Sequence, residues 1–270
     1  MSRARVEGVS RGYVETSWGQ VHIRRAGQAG PAIVLLHESP LSSATYAAVL
    51  PALARGARAV AIDTPGYGMS DGPPARAEIS EYASVLLEVT RTMGLDRIAV
   101  VGVHTGASLA VQMAVQAPDR VTHLVLSGVP LITEEQRAEY LRSWAPEVPI
   151  APDGSHLAWA WERYERIWSG PPDLLHLGAT TLLANLQDYH LAYNAAFRYD
   201  PRPDLANVRC PVLLYTAEDD LLITSDEEAV VLFPDAQLER VPGLVGQLPL
   251  RIPTEFAARV LRFVSAAASR

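Results

Sequence analysis

The stretch that most constrains this chain runs from Arg97 to Pro118, RIAVVGVHTGASLAVQMAVQAP. Ile98 to Val101 form an apolar, largely β-branched run that reads as a buried strand, and Ala107 to Val115 read as a helix of small and apolar residues. Gly102 and Gly106 bracket the junction. A strand that turns at once into a helix crowds its own backbone. Glycine is therefore needed on both sides, and the residue between is left exposed in strained geometry. That residue is His104.

The rest of the chain alternates around this junction. Gly12 to Trp18 and Gln20 to Arg25 flank a Trp-Gly turn and read as an opening antiparallel hairpin. Pro31 to His37, Ala57 to Thr64 and Val121 to Val129 read as buried strands, with helices expected from about Ser43 to Arg55 and from about Ile79 to Met93. Strand character returns at Cys210 to Tyr215 and Gln237 to Val241, and an amphipathic helix from about Thr254 to Ala267 closes the chain. Such alternation is the pattern of a parallel, doubly wound α/β sheet, whose sites lie at the carboxyl ends of its strands. His37, Asp63, His104, Val129 and Asp220 fall at or just past such ends.

Between about Leu131 and Asn207 the pattern changes to helical segments broken by proline-containing loops, holding four of the five tryptophans. Leu157, Trp161, Tyr164 and Trp168 share one helical face, and Leu182, Leu186, Tyr189, Tyr193 and Phe197 repeat that spacing. The expected organisation is an α/β core of residues 1–130 and 208–270 with a helical cap, 131–207, over the site.

Composition removes several classes of function. With 270 residues, 49% of them hydrophobic, the chain can bury a full core. A net charge of −7 supplies no basic face for nucleic acid. No apolar run approaches the roughly 18 residues of a membrane span, and MSRARVEGVS lacks an apolar signal core, so the expected location is the cytoplasm. All 23 basic residues are arginine, which excludes Schiff-base chemistry and lysine-bound pyridoxal phosphate. The single cysteine, Cys210, reads as a packed residue. No spacing of ligands suggests a metal, and no cofactor is expected. Oligomeric state leaves no mark on the sequence.

Several motifs together resemble a capped α/β hydrolase over essentially the whole chain. Gly102-Val-His-Thr-Gly106 is similar in outline to that superfamily's Gly-x-Ser-x-Gly nucleophile elbow. LLHESP resembles its His-Gly-x-Pro turn, DTPGYGMSD its Asp-x-x-Gly-x-Gly-x-Ser loop, and CPVLLYTAEDD the strand that delivers the triad acid. The resemblance implies an eight-stranded, mostly parallel sheet with a lid inserted after the sixth strand. It also implies a nucleophile at position 104, an acid at Asp220 or neighbouring Asp219, and a histidine base within Val241 to Pro249. The nucleophile's place is held by His104, and VPGLVGQLP contains no histidine.

A serine acyl-enzyme route therefore has no hydroxyl and no late imidazole. The expectation is that His104 acts as acid or base with Asp220 fixing its tautomer, although Asp220 also stands where it could cap the next helix. Glu38 replaces a family glycine and either enters the site as a second acid or base or turns to solvent. The resemblance places the oxyanion hole at the amides of Ser39 and Thr105. His156, Trp161, Tyr189, His190 and Tyr193 are expected to line a pocket for an apolar or aromatic small molecule. His37 reads as a structural tie. The expected chemistry is cofactor-free cyclisation, elimination, isomerisation or carbon–carbon cleavage on a hydrophobic carbonyl compound. The alternatives are a non-catalytic binding protein and a hydrolase that activates water without serine.

Overall fold

The structure, a computed structural model, describes residues 6–168 and 170–266. It opens with the hairpin β1 (Val9–Thr16) and β2 (Gly19–Ala26), followed by β3 (Ala32–Leu36), a 3-10 turn Ser43–Tyr46, α1 (Leu50–Leu53) and β4 (Arg58–Ile62). Then come α2 (Ile79–Thr92), β5 (Ile98–Val103), α3 (Thr105–Gln116) and β6 (Val121–Ser127). Five helices separate β6 from the next strand: α4 (Glu134–Ser143), α5 (Ser155–Ile167), α6 (Pro172–Ala184), α7 (Tyr189–Arg198) and the short α8 (Arg202–Leu205). The chain returns through β7 (Val212–Ala217), α9 (Ile223–Ala229), β8 (Ala236–Val241), α10 (Leu248–Arg251) and α11 (Pro253–Ala266).

The eight strands form one sheet in the order β1-β2-β4-β3-β5-β6-β7-β8. β1 and β2 pair antiparallel, β2 joins β4 antiparallel, and every other neighbour is parallel. All residues of β3, β5 and β7 are buried, which is why these strands read as unbroken apolar runs: helices cover both faces. The pleat divides the core in two. Val34 and Leu36 pack with α2 and α3, whereas Ile33 and Leu35 pack with α1 and α11.

Two expected elements are broken. The helix expected from Ser43 to Arg55 is a 3-10 turn and a separate α1, because Pro51, in the first turn of α1, can neither donate a backbone bond nor sit beside the carbonyl of Ala47. The apolar stripe from Leu182 to Phe197 spans two helices rather than one. α6 ends before Asn185, whose side chain donates to the Thr181 carbonyl at 2.9 Å, and α7 starts afresh at Tyr189. No described helix is long and apolar enough to cross a membrane.

Candidate active site

The turn between β5 and α3 holds His104 at φ 48°, ψ −110°. Its amide donates to the Ser127 carbonyl at 2.8 Å, and its own carbonyl accepts from the amides of Ala107 and Ser108. Both flanking glycines are required by contact: a Cβ on Gly102 would run into the Gly106 carbonyl, and one on Gly106 into the Leu36 carbonyl. Gly128, at φ +70° just past β6, has the same role for the side chain. A Cβ there would occupy the space of the His104 ring, with Nε2 only 2.7 Å away.

The imidazole lies between two carboxylates. Nε2 is 3.1 and 3.2 Å from the two oxygens of Asp220, and Nδ1 is 3.3 Å from Oε2 of Glu38. Glu38 and Asp220 are both buried, whereas the His104 side chain keeps 18% of its surface open. Burial works against a charged ring, but Asp220 and then Glu38 outweigh it and hold the imidazole's pKa well above the usual histidine range. Burial likewise opposes ionisation of Asp220, and His104 together with the Leu222 amide overcomes it, keeping that carboxyl below the usual carboxylate range. The ring is thus disposed to hold its proton, with Nε2 bonded to Asp220 and Nδ1 facing Glu38.

Each member is fixed by backbone. Asp220 follows β7 and accepts from the Leu222 amide at 2.9 Å, so it both orders the turn into α9 and faces His104. α9 begins at Ile223 with no side-chain cap. Neighbouring Asp219 is exposed. His37, as expected, ties strand end to loop: Nδ1 bonds the Glu38 carbonyl at 2.9 Å, and Nε2 accepts from the Thr64 amide at 3.0 Å. Its burial lowers its pKa, so a neutral ring fixes the backbone that carries Glu38. Behind the site, Asp226 takes the amides of Gly128 and Val129 at 2.8 and 2.7 Å, and burial raises its pKa to about 6.

Above this cluster lies a cavity with about 850 Å³ of empty space, mouth included. Its floor is Glu38, Ser39, His104, Thr105, Asp220 and Gln247; its aromatic wall is Tyr140, Trp144, Tyr164, Trp168, Tyr193 and Phe197. Among the described residues no hydrogen bond takes up the amide of Ser39 or of Thr105, and Thr105 opens α3, where backbone N–H groups point outward.

Of the wall residues expected from sequence, only Tyr193 lines the cavity. His156 turns back to accept from the Ala151 amide at 3.2 Å. Trp161 packs against the apolar core. Tyr189 is buried, its hydroxyl bonded to the Pro146 carbonyl and its own carbonyl to Tyr67. His190 faces Glu147 at 3.7 Å. Gln247, in the loop after β8, also lines the cavity; a single polar residue in a loop carries no periodicity, and its position in that last loop is the one signal the sequence offers.

A sheet of this order, with a strained strand–turn–helix at its centre and charged groups gathered at the carboxyl ends of its strands, defines an α/β protein whose site is at that edge. The α/β hydrolase fold family model matches residues 31–243, and the chain belongs to that family. A fluoroacetate dehalogenase from Burkholderia sp is 28% identical over 303 residues, covering 97% of this chain and 96% of that protein. Haloalkane dehalogenase 2 of Mycobacterium tuberculosis is 35% identical over 117 residues, 43% of this chain. The mycobacterial matches span only 33 to 41% of those proteins' own length. Among solved structures, the enol-lactonase from Burkholderia xenovorans superposes with a TM-score of 0.80 at 19% identity, covering 94% of this chain and all of that one.

Proposed function

We propose that this protein is a cofactor-free acid–base enzyme in which His104 has taken the place of the hydroxyl nucleophile and no late histidine completes a serine triad. Its substrate is a hydrophobic, carbonyl-bearing small molecule of the cytoplasm, covered by residues 131–207 acting as a cap. The observation that carries the reading is the imidazole of His104 between Glu38 and Asp220 on the floor of an aromatic cavity.

The chemistry follows from which lone pairs remain. An imidazolium donating from both nitrogens is not a nucleophile, but it is an acid, and the Glu38 carboxylate beside it is a base. A substrate carbonyl seated on the amides of Ser39 and Thr105 places its neighbouring C–H within the reach of Glu38. As that proton leaves, the two amides hold the developing oxyanion, and His104 returns a proton where the product needs one. Asp220 keeps the ring charged and oriented. Isomerisation, elimination and cyclisation proceed from such an enolate, and carbon–carbon cleavage releases one, which the same amides hold until His104 protonates it. A non-catalytic binding protein needs no bracketed imidazolium. Hydrolysis by water activated at Glu38 is the second reading, favoured by the dehalogenase relatives.

The test is exchange of α-protons of 1-tetralone in deuterated buffer, followed by NMR, beside hydrolysis of p-nitrophenyl butyrate. The protein should accelerate exchange, and His104→Ala and Glu38→Gln should each remove it by about a hundredfold or more. A fluorophosphonate probe should label nothing. Full exchange activity in His104→Ala, or strong fluorophosphonate labelling, overturns the proposal, and ester hydrolysis without exchange moves the assignment to the second reading.

A further inference from the structure

Gln247 occupies an unusual place. It is one of two non-glycine residues at positive φ among those described, the other being His104. At φ 47°, ψ 42° it sits in the left-handed region, which disfavours a side chain of this kind, so the surrounding structure must hold it there. That structure is visible. Gly246 before it, at φ +109°, lies so close to Asp220 that a Cβ would be 2.9 Å from Oδ2. The Asp219 amide pins the loop through the Leu244 carbonyl at 3.0 Å, and the amides of Leu250 and Arg251 close on the Gln247 carbonyl at 2.9 and 3.1 Å. The side chain is buried to all but 6% and lines the cavity.

Which end of the carboxamide faces the cavity is decided by Arg251. Its Nη2 stands 3.4 Å from Oε1 of Gln247, and a guanidinium can only donate, so the oxygen is turned toward it. The Nε2 end is left with two N–H groups and no partner among the described residues.

We propose that the Gln247 carboxamide binds a second acceptor oxygen of the substrate. Building on the acid–base reading above, this makes the substrate a hydrophobic compound with two separated oxygen functions. One, the carbonyl that is enolised, rests on the amides of Ser39 and Thr105. The other, a carbonyl, ether or hydroxyl oxygen, rests on Gln247. The two anchors are separate points of one cavity lining: Ser39 and Thr105 directly follow Glu38 and His104 in the chain, whereas Gln247 follows Gly246, which packs against Asp220. Replacing an acceptor oxygen with methylene leaves the Nε2 hydrogens buried and unpaired, so the site discriminates against the pure hydrocarbon.

The test compares 6-methoxy-1-tetralone with 6-ethyl-1-tetralone, which differ by one oxygen for one methylene, with affinity read from quenching of the tryptophans that line the cavity. The protein should bind the methoxy compound about fivefold more tightly, the worth of one hydrogen bond between neutral groups. Gln247→Leu should bring the ratio to one. Gln247→Glu, which keeps the length and the Arg251 contact but loses the donor, should do the same, with thermal unfolding confirming that both fold. His104→Gln should keep the preference, so the subsite stands or falls separately from the acid–base reading. Equal binding by the unaltered protein, a preference that survives Gln247→Leu, or failure to bind either compound overturns the proposal.

Discussion

The floor and the aromatic wall of the cavity are built on opposite principles. On the floor the charged groups are paired, although the Ser39 hydroxyl is buried without a partner: Nε2 of His104 bonds Asp220, Nδ1 stands 3.3 Å from Glu38, and Asp220 takes a backbone amide. On the wall side, polar atoms are buried without hydrogen-bond partners: the Tyr164 hydroxyl, and Nε and Nη2 of Arg163. The floor rests on the ends of parallel strands whose register leaves little freedom. The wall rests on separate helices joined by loops. Charges paired before substrate arrives are preorganised for charge, while a wall of rings is suited to shape. The difference predicts unequal responses to mutation.

The largest response should follow loss of the imidazolium. His104→Ala leaves Glu38 and Asp220 as buried like charges without their counter-ion, and breaking such a pair costs about 3–5 kcal/mol. The pH dependence should also reverse. His104's raised pKa means that its stabilisation is complete below the ordinary histidine value and is lost as pH rises through the higher folded value. Asp220's lowered pKa means that its contribution is present above the ordinary carboxylate value and is lost in acid. These two groups give the unaltered protein a plateau from mildly acid to neutral pH, on which Asp226, raised to about 6, superimposes in both proteins a loss as pH climbs toward 6. The variant should instead gain stability on acidification, as its unpaired carboxyls take up protons. Urea unfolding between pH 5 and pH 8 reads both curves; parallel curves would mean that the three groups do not act as a charge cluster.

A smaller effect should come from the glycine that makes room for the ring. Gly128→Ala adds backbone strain at φ +70° and a Cβ in the space of the imidazole. Gly94→Ala, at φ +67° with nothing within 4 Å of the added atom, adds the strain alone. Each should lose about 1–3 kcal/mol for the backbone. Only Gly128→Ala should also lose proton-exchange activity, because only there must His104 move. Equal losses of activity would show that the floor tolerates displacement and is no more exacting than the wall.

The same contrast explains what could be read from the sequence. Floor residues are legible because a buried parallel strand is an unbroken apolar run, and the residue past its end is placed by counting: His104 after β5, Asp220 after β7, Glu38 after β3. Wall residues depend on the rotation of each helix about its axis, which spacing within one helix does not supply. Trp161 and Tyr164 belong to one expected face of α5, yet Tyr164 reaches the cavity and Trp161 does not. The break at Asn185 resets the phase between Leu182 and Tyr193, so Tyr189 turns into the core while Tyr193 faces the cavity. Tyr140 lies on α4, a helix with no buried residue and no apolar stripe to announce it.

The smallest predicted effect is the sharpest for the comparison. Arg163 is 6% exposed, and its guanidinium lies 5.7 Å from the Trp144 ring centre and 5.8 Å from that of Trp159. Each such ring contact is worth about 0.5–2 kcal/mol. Against this stands the cost of burying a cation with two nitrogens left without acceptors. Arg163→Met keeps the length and apolar stem, removes the desolvation cost along with the ring contacts, and exchanges two terms of similar size. Stability in urea should move by no more than about 1 kcal/mol in either direction. A loss of several kcal/mol, comparable to that of His104→Ala, would mean that the wall holds an ionic constraint as demanding as the floor's, and the division of the cavity into a charged machine and an adaptable surface would fail.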